Sequence, residues 1–219
     1  MLNLKKLTVK KVDTEAGASW NEINKSLEGV EWNLVNVVNW KQYAYRPWVQ
    51  FKLAYSSTEF LLQYRVREKY IRAVAAHDNG EVWKDSCVEF FVTPADDGAY
   101  YNFEFNCAGV CLMAVGTGRN GREWAPLDLL SRVRRFPSLG RSPFQERTGE
   151  VEWDLTIAIP FGSFFKHPGI FPPKECFKAN FYKCGDDLRE PHFLSWHPVE
   201  AENPDFHRPE CFGTVCPEK

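Results

Sequence analysis

Apolar and polar residues alternate along most of this chain. The clearest stretch spans residues 150–159, where apolar residues at the odd positions are separated by mostly polar ones. A period of two over ten residues is the pattern of a half-buried β-strand. Strand candidates by the same criteria are 7–12, 48–55, 60–66, 71–76, 86–92, 101–107, 110–115, 132–136, 150–159, 178–184 and 192–196.

About ten or eleven short strands with irregular turn signals between them predict an all-β protein. Such a series is typical of an antiparallel β-sandwich. The long β-α-β spacing of a parallel, doubly wound sheet is absent. We find no internal repeat, linker or low-complexity tract, so we expect one domain over residues 1–219.

One clear helix signal lies near the N-terminus, and one or two short peripheral helices are expected in all. Ser19 and Glu22 have the spacing of a capping box, and Gly29 is a plausible stop. The apolar residues between them recur at helical spacing, so one face should dock on the core. We expect the N-terminal strand and helix, residues 7–29, to pack on the sandwich, and a second short helix at 161–165.

Composition narrows the class of protein. The chain has 219 residues, a formal net charge of −2, 44% hydrophobic and 15% aromatic residues. It is too apolar to be disordered, and a near-zero charge gives no electrostatic footprint for nucleic acid. No apolar run approaches the roughly 20 residues of a membrane helix. We therefore expect neither a nucleic-acid nor a membrane partner.

The cysteines bear on the cellular compartment. There are seven of them, an odd number that cannot all pair, and no Cys-x-x-Cys occurs. The first residues show no apolar signal-peptide core. We therefore favour reduced cysteines and the cytoplasm, with a periplasmic or secreted protein as the alternative if a leader was removed.

Several polar residues lie opposite the apolar face of their strands. They are Glu89, Asn102, Glu104, Asn106 and Asn180. If these strands are neighbours, one sheet carries a row of carboxylates and amides. The row is typical of a solvated outer face; the alternative is a hydrogen-bonding floor for a polar ligand.

The eight tryptophans divide by context. Trp153 lies mid-strand on an apolar face and belongs to the core, and those at 20, 32, 40 and 48 are expected to pack under N-terminal segments. Trp83 and Trp196 lie at loops beside polar residues, a setting suited to stacking on a sugar ring. Trp124 is also in a loop, and its role stays open.

Three motifs occur in a fixed order along the chain. The first is WKDSCVEFF at 83–91 followed by YNFEFN at 101–106, the second is WDLTIAIPF at 153–161, and the third is NFYK at 180–183, WHP at 196–198 and HRPECFG at 207–213. Together these segments resemble the family 9 carbohydrate-binding modules over about residues 30–217.

The resemblance implies a β-sandwich that binds sugars, often chain ends, between stacked aromatic side chains. By position, Trp83 would be one stacking wall and Glu89 would accept hydrogen bonds from sugar hydroxyls. Trp196 is the candidate facing wall. Asn180 and Lys183 would be polar contacts or supports, although Lys183 replaces the family's usual Arg and cannot make a planar two-point contact.

Two functions remain open. The first is non-catalytic recognition of a mono- or oligosaccharide, with Glu104, Asn106 and His207 completing the candidate binding site. The second is a glycan hydrolase or lyase that uses Glu89 with Glu104 or His207 as acid and base.

We expect no cofactor and no metal site from the residues themselves. The His and Cys residues between 184 and 216 have spacings that fit no regular zinc motif. Calcium enters only through the resemblance, because some members of the family bind it.

Overall fold

The chain folds into two packed β-sheets. The computed structural model describes residues 5–218, so both ends of the expected 1–219 domain lie outside it. Fourteen strands occur within this range: β1 (Lys6–Lys11), β2 (Asn33–Leu34), β3 (Val37–Val38), β4 (Trp48–Tyr55), β5 (Glu59–Ala73), β6 (Cys87–Thr93), β7 (Tyr100–Asn106), β8 (Cys111–Gly116), β9 (Glu123–Trp124), β10 (Arg134–Pro137), β11 (Phe144–Pro160), β12 (Phe177–Cys184), β13 (Phe193–Ser195) and β14 (Gly213–Pro217).

The first sheet has the order β9-β8-β7-β6-β12, with β14 and β13 along the other edge of β12 and β3 beyond β13. The second has the order β10-β11-β5-β4, with β2 also paired to β4. These pairings are antiparallel, which confirms the predicted all-β class. β1 departs from the prediction because it pairs in parallel with both β14 and β4, and so joins the two sheets.

The strand count exceeds the predicted ten or eleven because β2, β3 and β9 have two residues each and carry no readable alternation. The five-residue β14 was also not among the predicted strands. In the opposite direction, the segments expected at 60–66 and 71–76 form parts of one long strand, β5. Pairing with β11, which has 17 residues against the 15 of β5, holds β5 together across two irregularities in register.

The predicted N-terminal helix is α1 (Trp20–Leu27). Ser19 and Glu22 form the capping box, and the helix closes with the Glu28 N–H donating to the Lys25 carbonyl oxygen, without a left-handed Gly29. Its buried residues pack against the outer face of the second sheet. A one-turn helix, α2 (Leu127–Leu130), precedes β10, and residues 161–163 form a 3-10 turn where a second helix was expected.

None of the described helices has the length and apolar character that crossing a bilayer requires.

Aromatic side chains fill the space between the sheets. Phe51 of the second sheet stacks on Phe181 of the first with ring centroids 3.7 Å apart, and Phe60 meets Phe90 edge-on at 6.1 Å. Trp153 is 1% exposed, as its place in the alternation predicts. Packed aromatic rings therefore fill the space between the sheets.

The outer face of the first sheet is also buried, which was not the expected outcome for its polar row. Side chains from that face belong to a second apolar cluster that loops cover. The row itself is at most 5% exposed: Glu89, Asn102, Glu104, Asn106 and Asn180. The solvated-face interpretation is wrong, because loops after β8 and β13 fold over this face.

One cysteine pair is oxidised, contrary to the preference for reduced cysteines. Cys176 and Cys216 form a disulfide between the start of β12 and β14. The sequence interval between them gives no sign of this pairing, which depends on the β12–β14 register. The remaining five described cysteines are free.

Candidate functional site

A cavity of about 430 Å³ lies on the outer face of the first sheet. Side chains of β6, β7, β8 and β12 form its floor: Glu89, Phe91, Asn102, Glu104, Leu112, Ala114 and Cys184. Because the residues between them face the sandwich interior, strand alternation directs this set outward. The walls come from loops, a 3-10 turn and the short strands β9 and β13: Trp83, Arg119, Asn120, Gly121, Arg122, Trp124, Asp186, Phe193, Pro204, Asp205, Phe206 and His207.

Two carboxyl groups lie side by side on the floor. Glu89 of β6 and Glu104 of β7 are directly opposite each other in the antiparallel register and are 3% and 5% exposed. The Asn102 amide donates a hydrogen bond to Glu104 Oε1 at 2.9 Å, and the Cys184 thiol donates one to Glu89 Oε1 at 3.1 Å. One oxygen of each carboxyl group is therefore held by a hydrogen bond from a neighbouring side chain.

Burial raises the pKa values of the acids in this cavity. The pKa of Glu89 lies well above its usual value because of burial and the charge of Glu104. Burial also raises the pKa of Glu104 to about 7 and that of Asp186 to about 6. A protonated carboxyl can both donate and accept hydrogen bonds, as a sugar hydroxyl does.

Arg122 fastens the loop that covers one side of the cavity. Its Nε and Nη2 donate to Asn102 Oδ1 at 3.0 and 2.7 Å, and its Nη1 donates to the Gly118 carbonyl oxygen at 2.8 Å. The guanidinium also lies 4.1 Å from the ring centroid of Tyr100. The chain Arg122–Asn102–Glu104 thus connects the loop to the floor.

Two tryptophans line the cavity from different elements. Trp83 lies on a 3-10 turn (Val82–Lys84), and its carbonyl oxygen accepts a hydrogen bond from the Asp186 N–H at 3.1 Å. Trp124 lies on β9, opposite Ala114 of β8, and is 50% exposed. A large, half-exposed aromatic ring beside a polar floor is a surface on which a ligand can stack.

His207 forms part of another wall. Its Nδ1 lies 2.9 Å from the Tyr100 hydroxyl, and its backbone N–H donates to Asp205 Oδ1 at 3.0 Å. Burial lowers the pKa of His207 to about 4. The imidazole is therefore neutral at pH 7 and offers one donor and one acceptor.

The prediction of Trp196 as the second wall is wrong. Its ring is 3% exposed and meets Phe51 and Phe181 edge-on, with centroids 6.2 and 5.7 Å away. It lies in the core between the sheets, against the backbone of Gly213. Trp124 takes the place in the cavity that was assigned to Trp196.

Asn180 lies on the outer face but outside the cavity lining. Its Nδ2 donates to the His197 carbonyl oxygen at 3.0 Å and its Oδ1 accepts from the His197 N–H at 2.9 Å. This pair of bonds fixes the segment that carries Trp196. Asn180 is therefore a support and makes no direct contact with the cavity.

Lys183 points to the opposite side of β12. Its Nζ lies 3.0 Å from Glu68 Oε2 and 2.9 Å from His192 Nε2, and all three side chains are fully buried. The Lys183 ammonium therefore lies inside the sandwich and cannot reach a ligand in the cavity. The prediction of Lys183 as a polar contact is wrong for this reason.

Asn106 holds the segment that leads to Trp83. Its Nδ2 donates to the Ala75 carbonyl oxygen at 3.1 Å and to Asp85 Oδ2 at 3.0 Å. Asp85 Oδ2 in turn accepts from the Ala75 N–H at 2.9 Å. Asn106 therefore positions the loop before Trp83 and does not line the cavity.

Of the eight predicted binding residues, the structure brings four together in the cavity: Trp83, Glu89, Glu104 and His207. Sequence reasoning left Trp124 open and did not select Asn102 from the polar row. The Gly- and Arg-rich residues 116–122, which come just before Trp124 and supply part of the cavity wall, were the available signal. No pattern in the sequence points to Asp186 or Phe206 as cavity residues.

The side chains present do not fit calcium. Calcium takes six to eight oxygen ligands. Among residues 5–218, the one group of three His, Cys, Asp or Glu side chains with converging ligand atoms is Cys87, Glu89 and Cys184. Two of its three ligand atoms are sulfur, a donor set that suits softer cations.

Several known proteins resemble this chain in sequence or in fold. A candidate carbohydrate-binding protein from Bacteroides uniformis ATCC 8492 is 46% identical, with a TM-score of 0.94 over 99% of this chain and 100% of that one. A family 9 carbohydrate-binding module from Caldicellulosiruptor kristjanssonii shares the fold, with a TM-score of 0.53 and 14% identity over 98% of this chain and 96% of that one. No curated protein matches. The sequence model of carbohydrate-binding family 9 matches residues 21–216, which confirms the resemblance carried by the motifs, and this chain belongs to that family.

Proposed function

We propose that this non-catalytic carbohydrate-binding protein holds a mono- or oligosaccharide in the cavity on the outer face of its first sheet. A sugar ring stacks against Trp83 and Trp124 while its hydroxyls bond to the floor. The observation that carries this proposal is that two tryptophans from separate elements line one cavity whose floor bears carboxyl and amide groups.

The aromatic walls supply the apolar part of the recognition. A pyranose ring presents C–H groups on its faces, and burying them against an indole removes apolar surface from water. Trp124 is half-exposed, so a ligand can reach its ring. Trp83 is anchored through its carbonyl oxygen, which limits the entropy lost when a ligand binds.

The floor supplies the polar part. Glu89 and Glu104 can pair with vicinal hydroxyls, which need partners that both donate and accept. The Asn102 amide, whose oxygen accepts from Arg122, donates to Glu104 and holds its carboxyl in place, so the orientation of Glu104 does not depend on the ligand. A buried polar floor of this kind favours a sugar whose hydroxyls match it, because mismatched groups stay unpaired.

Glucose and short glucose oligomers are the first ligands to test. The Caldicellulosiruptor kristjanssonii module of the same fold is known in complex with glucose. The cavity here is within the size range of about 300–1,000 Å³ that is usual for small-molecule sites. A panel with other hexoses, pentoses and uronic acids then defines specificity.

We predict that Trp83→Ala and Trp124→Ala each weaken sugar binding at least tenfold. Each change removes ring contact worth more than about 1.4 kcal/mol. Titration calorimetry with the best ligand of the panel measures the effect. Trp48→Ala is the matched control, because Trp48 is also part-exposed, at 38%, but lies outside the cavity. Absence of sugar binding, or equal affinity in all variants, contradicts the proposal.

No observation on the described residues favours the hydrolase or lyase alternative. Glu89 and Glu104 are directly opposite each other on neighbouring strands, and both side chains lie on the outer face of the first sheet. A glycosidase instead places its two carboxyl groups on either side of the scissile bond. The same sugar panel, assayed for released reducing ends with wild type and Glu89→Gln, provides the direct check.

The disulfide bears on the compartment. A Cys176–Cys216 bond persists most readily in an oxidising environment. It therefore supports the periplasmic or secreted alternative over the cytoplasm. Alkylation under denaturing conditions at the moment of lysis, followed by peptide mapping, distinguishes the two, because the buried free thiols then also react and only an oxidised pair escapes modification.

A further inference from the structure

We propose that Cys87, Cys184 and Glu89 form a binding site for a thiophilic divalent cation, of which Zn²⁺ is the physiological representative, at the floor of the sugar cavity. The two cysteines are directly opposite each other on β6 and β12. Strand alternation places Glu89 on the same face as Cys87, two residues further along β6. The three side chains therefore converge without any change of backbone.

The distances match a tetrahedral centre. The Cys184 sulfur lies 3.1 Å and the Cys87 sulfur 3.9 Å from Glu89 Oε1, and all three ligand atoms lie within 4.8 Å of one another. Around zinc, bond lengths of about 2.3 Å to sulfur and 2.0 Å to oxygen place neighbouring ligands about 3.5–3.8 Å apart. Shifts of a few tenths of an ångström would bring each sulfur to that distance from Glu89 Oε1, and the two sulfurs, which lie within 4.8 Å of each other, would need to be about 3.8 Å apart.

The ligand types select the cation. Two thiolates and one carboxylate suit zinc or cadmium, whereas calcium and magnesium require mostly oxygen. Acidic groups in the cavity lining outnumber basic ones, because Glu104, Asp186 and Asp205 accompany Glu89 whereas Arg119 and Arg122 are the two cations there. Three protein ligands leave a fourth position, which faces the cavity because Glu89 and Cys184 line it.

The site shares Glu89 with the proposed sugar-binding floor. A cation on Glu89 Oε1 would withdraw this carboxyl from a sugar hydroxyl. If the proposed function holds, zinc and sugar therefore weaken each other's binding by the same factor, as linkage requires. The zinc site itself does not depend on that function.

Zinc titration of the protein without sugar tests the metal site. With free thiols kept reduced, calorimetry and equilibrium dialysis should show one Zn²⁺ per chain, and Ca²⁺ should not bind. Cys184→Ser should weaken Zn²⁺ binding at least tenfold. Cys211→Ser is the matched control, since Cys211 is a free cysteine outside the cluster, and it should bind zinc as the wild type does. No zinc binding, or equal binding in Cys184→Ser, overturns the proposal.

A second measurement covers the case in which the cysteine variant does not fold. X-ray absorption at the zinc edge of the wild-type complex should show two sulfur ligands with oxygen or nitrogen completing the shell. Four sulfurs, or none, overturn the proposal. Failure of the sugar titrations alone leaves these results unchanged, so the two proposals fail independently.

Discussion

Glu89 and Glu104 lie side by side where water is largely excluded, and their neighbours determine what each can do. The Cys184 thiol and the Asn102 amide occupy one oxygen of each carboxyl, and the free lone pairs face the cavity. On the other side of the same sheet, Lys183 and Glu68 are buried as a pair. Polar side chains on one face of this sheet therefore line the proposed binding site, and those on the other face form a buried ion pair inside the sandwich.

Lys183→Met should destabilise the protein by about 3–5 kcal/mol, because it leaves the buried Glu68 carboxylate without its ion-pair partner. Urea unfolding measures the loss, and the double variant Lys183→Met/Glu68→Gln should recover part of it. Lys178→Met is the control on the same strand, since Lys178 is exposed, and should change stability by less than about 1 kcal/mol. Loss of sugar binding by a stable Lys183→Met protein would instead make Lys183 a ligand contact.

His207 gives the fold a dependence on pH. Its pKa is about 4 in the folded protein, chiefly through burial, with Arg122 and Arg119 lowering it and Asp205 raising it. The unfolded chain, with a His pKa near 6.5, binds more protons between these values. The stabilising contribution of neutral His207 is therefore complete above about pH 6.5 and is lost as the pH falls toward 4.

We predict that wild type loses more stability than His207→Asn between pH 7.5 and pH 5. The difference should be about 2 kcal/mol at pH 5, because the unfolded His is then mostly protonated and the folded one is not. The Asn amide oxygen can still accept from the Tyr100 hydroxyl, which limits other effects. Urea unfolding at both pH values measures the difference, and identical losses in the two proteins would show that His207 is not buried as a neutral group.

At the level of elements, close packing between β14 and the segment after β13 explains why Trp196 is not in the cavity. Gly213, the first residue of β14, leaves room for the Trp196 ring, which a Cβ at that position would overlap. Asn180 fixes the backbone of His197 beside it. The ring is thus directed into the core by two neighbouring elements.

Gly213→Ala should destabilise the protein by about 1–3 kcal/mol, the usual cost of overpacking a core. Gly29→Ala is the control, because a Cβ at Gly29 would point into open space and the φ of Gly29 is not left-handed. The free energy of unfolding of this control should lie within about 0.5 kcal/mol of the wild-type value. The urea concentrations at the midpoints of unfolding measure the effect of each variant. If the two variants have the same midpoint, the contact with Trp196 does not constrain β14.

The four strands that form the floor were all predicted from the sequence, with period-two alternation clearest in β7. The walls were not, since they depend on which loops meet in space. Trp124 pairs with β8 through two residues, too few for a pattern. Trp196 was misassigned although it has the same parity as the buried Leu194, a signal that pointed to the core.

For the whole molecule, the sandwich provides a rigid support for a site on its outside. Aromatic rings lock the two sheets together, and β1 bonds to both of them at one edge. The outer face of the first sheet carries the cavity, so loops can vary there without disturbing the core. Fold class and the choice of Trp83, which lines the cavity, followed from the sequence, whereas the disulfide and the cavity itself required the register of distant strands.

A crystal structure of the protein with its best-binding sugar tests the central claim most directly. The account predicts a sugar ring in contact with Trp83 and Trp124 and hydroxyls within hydrogen-bond distance of Glu89 and Glu104. A sugar bound elsewhere, for example in the groove beside Cys176 and Cys216, with the cavity on the first sheet free of ligand, would contradict it.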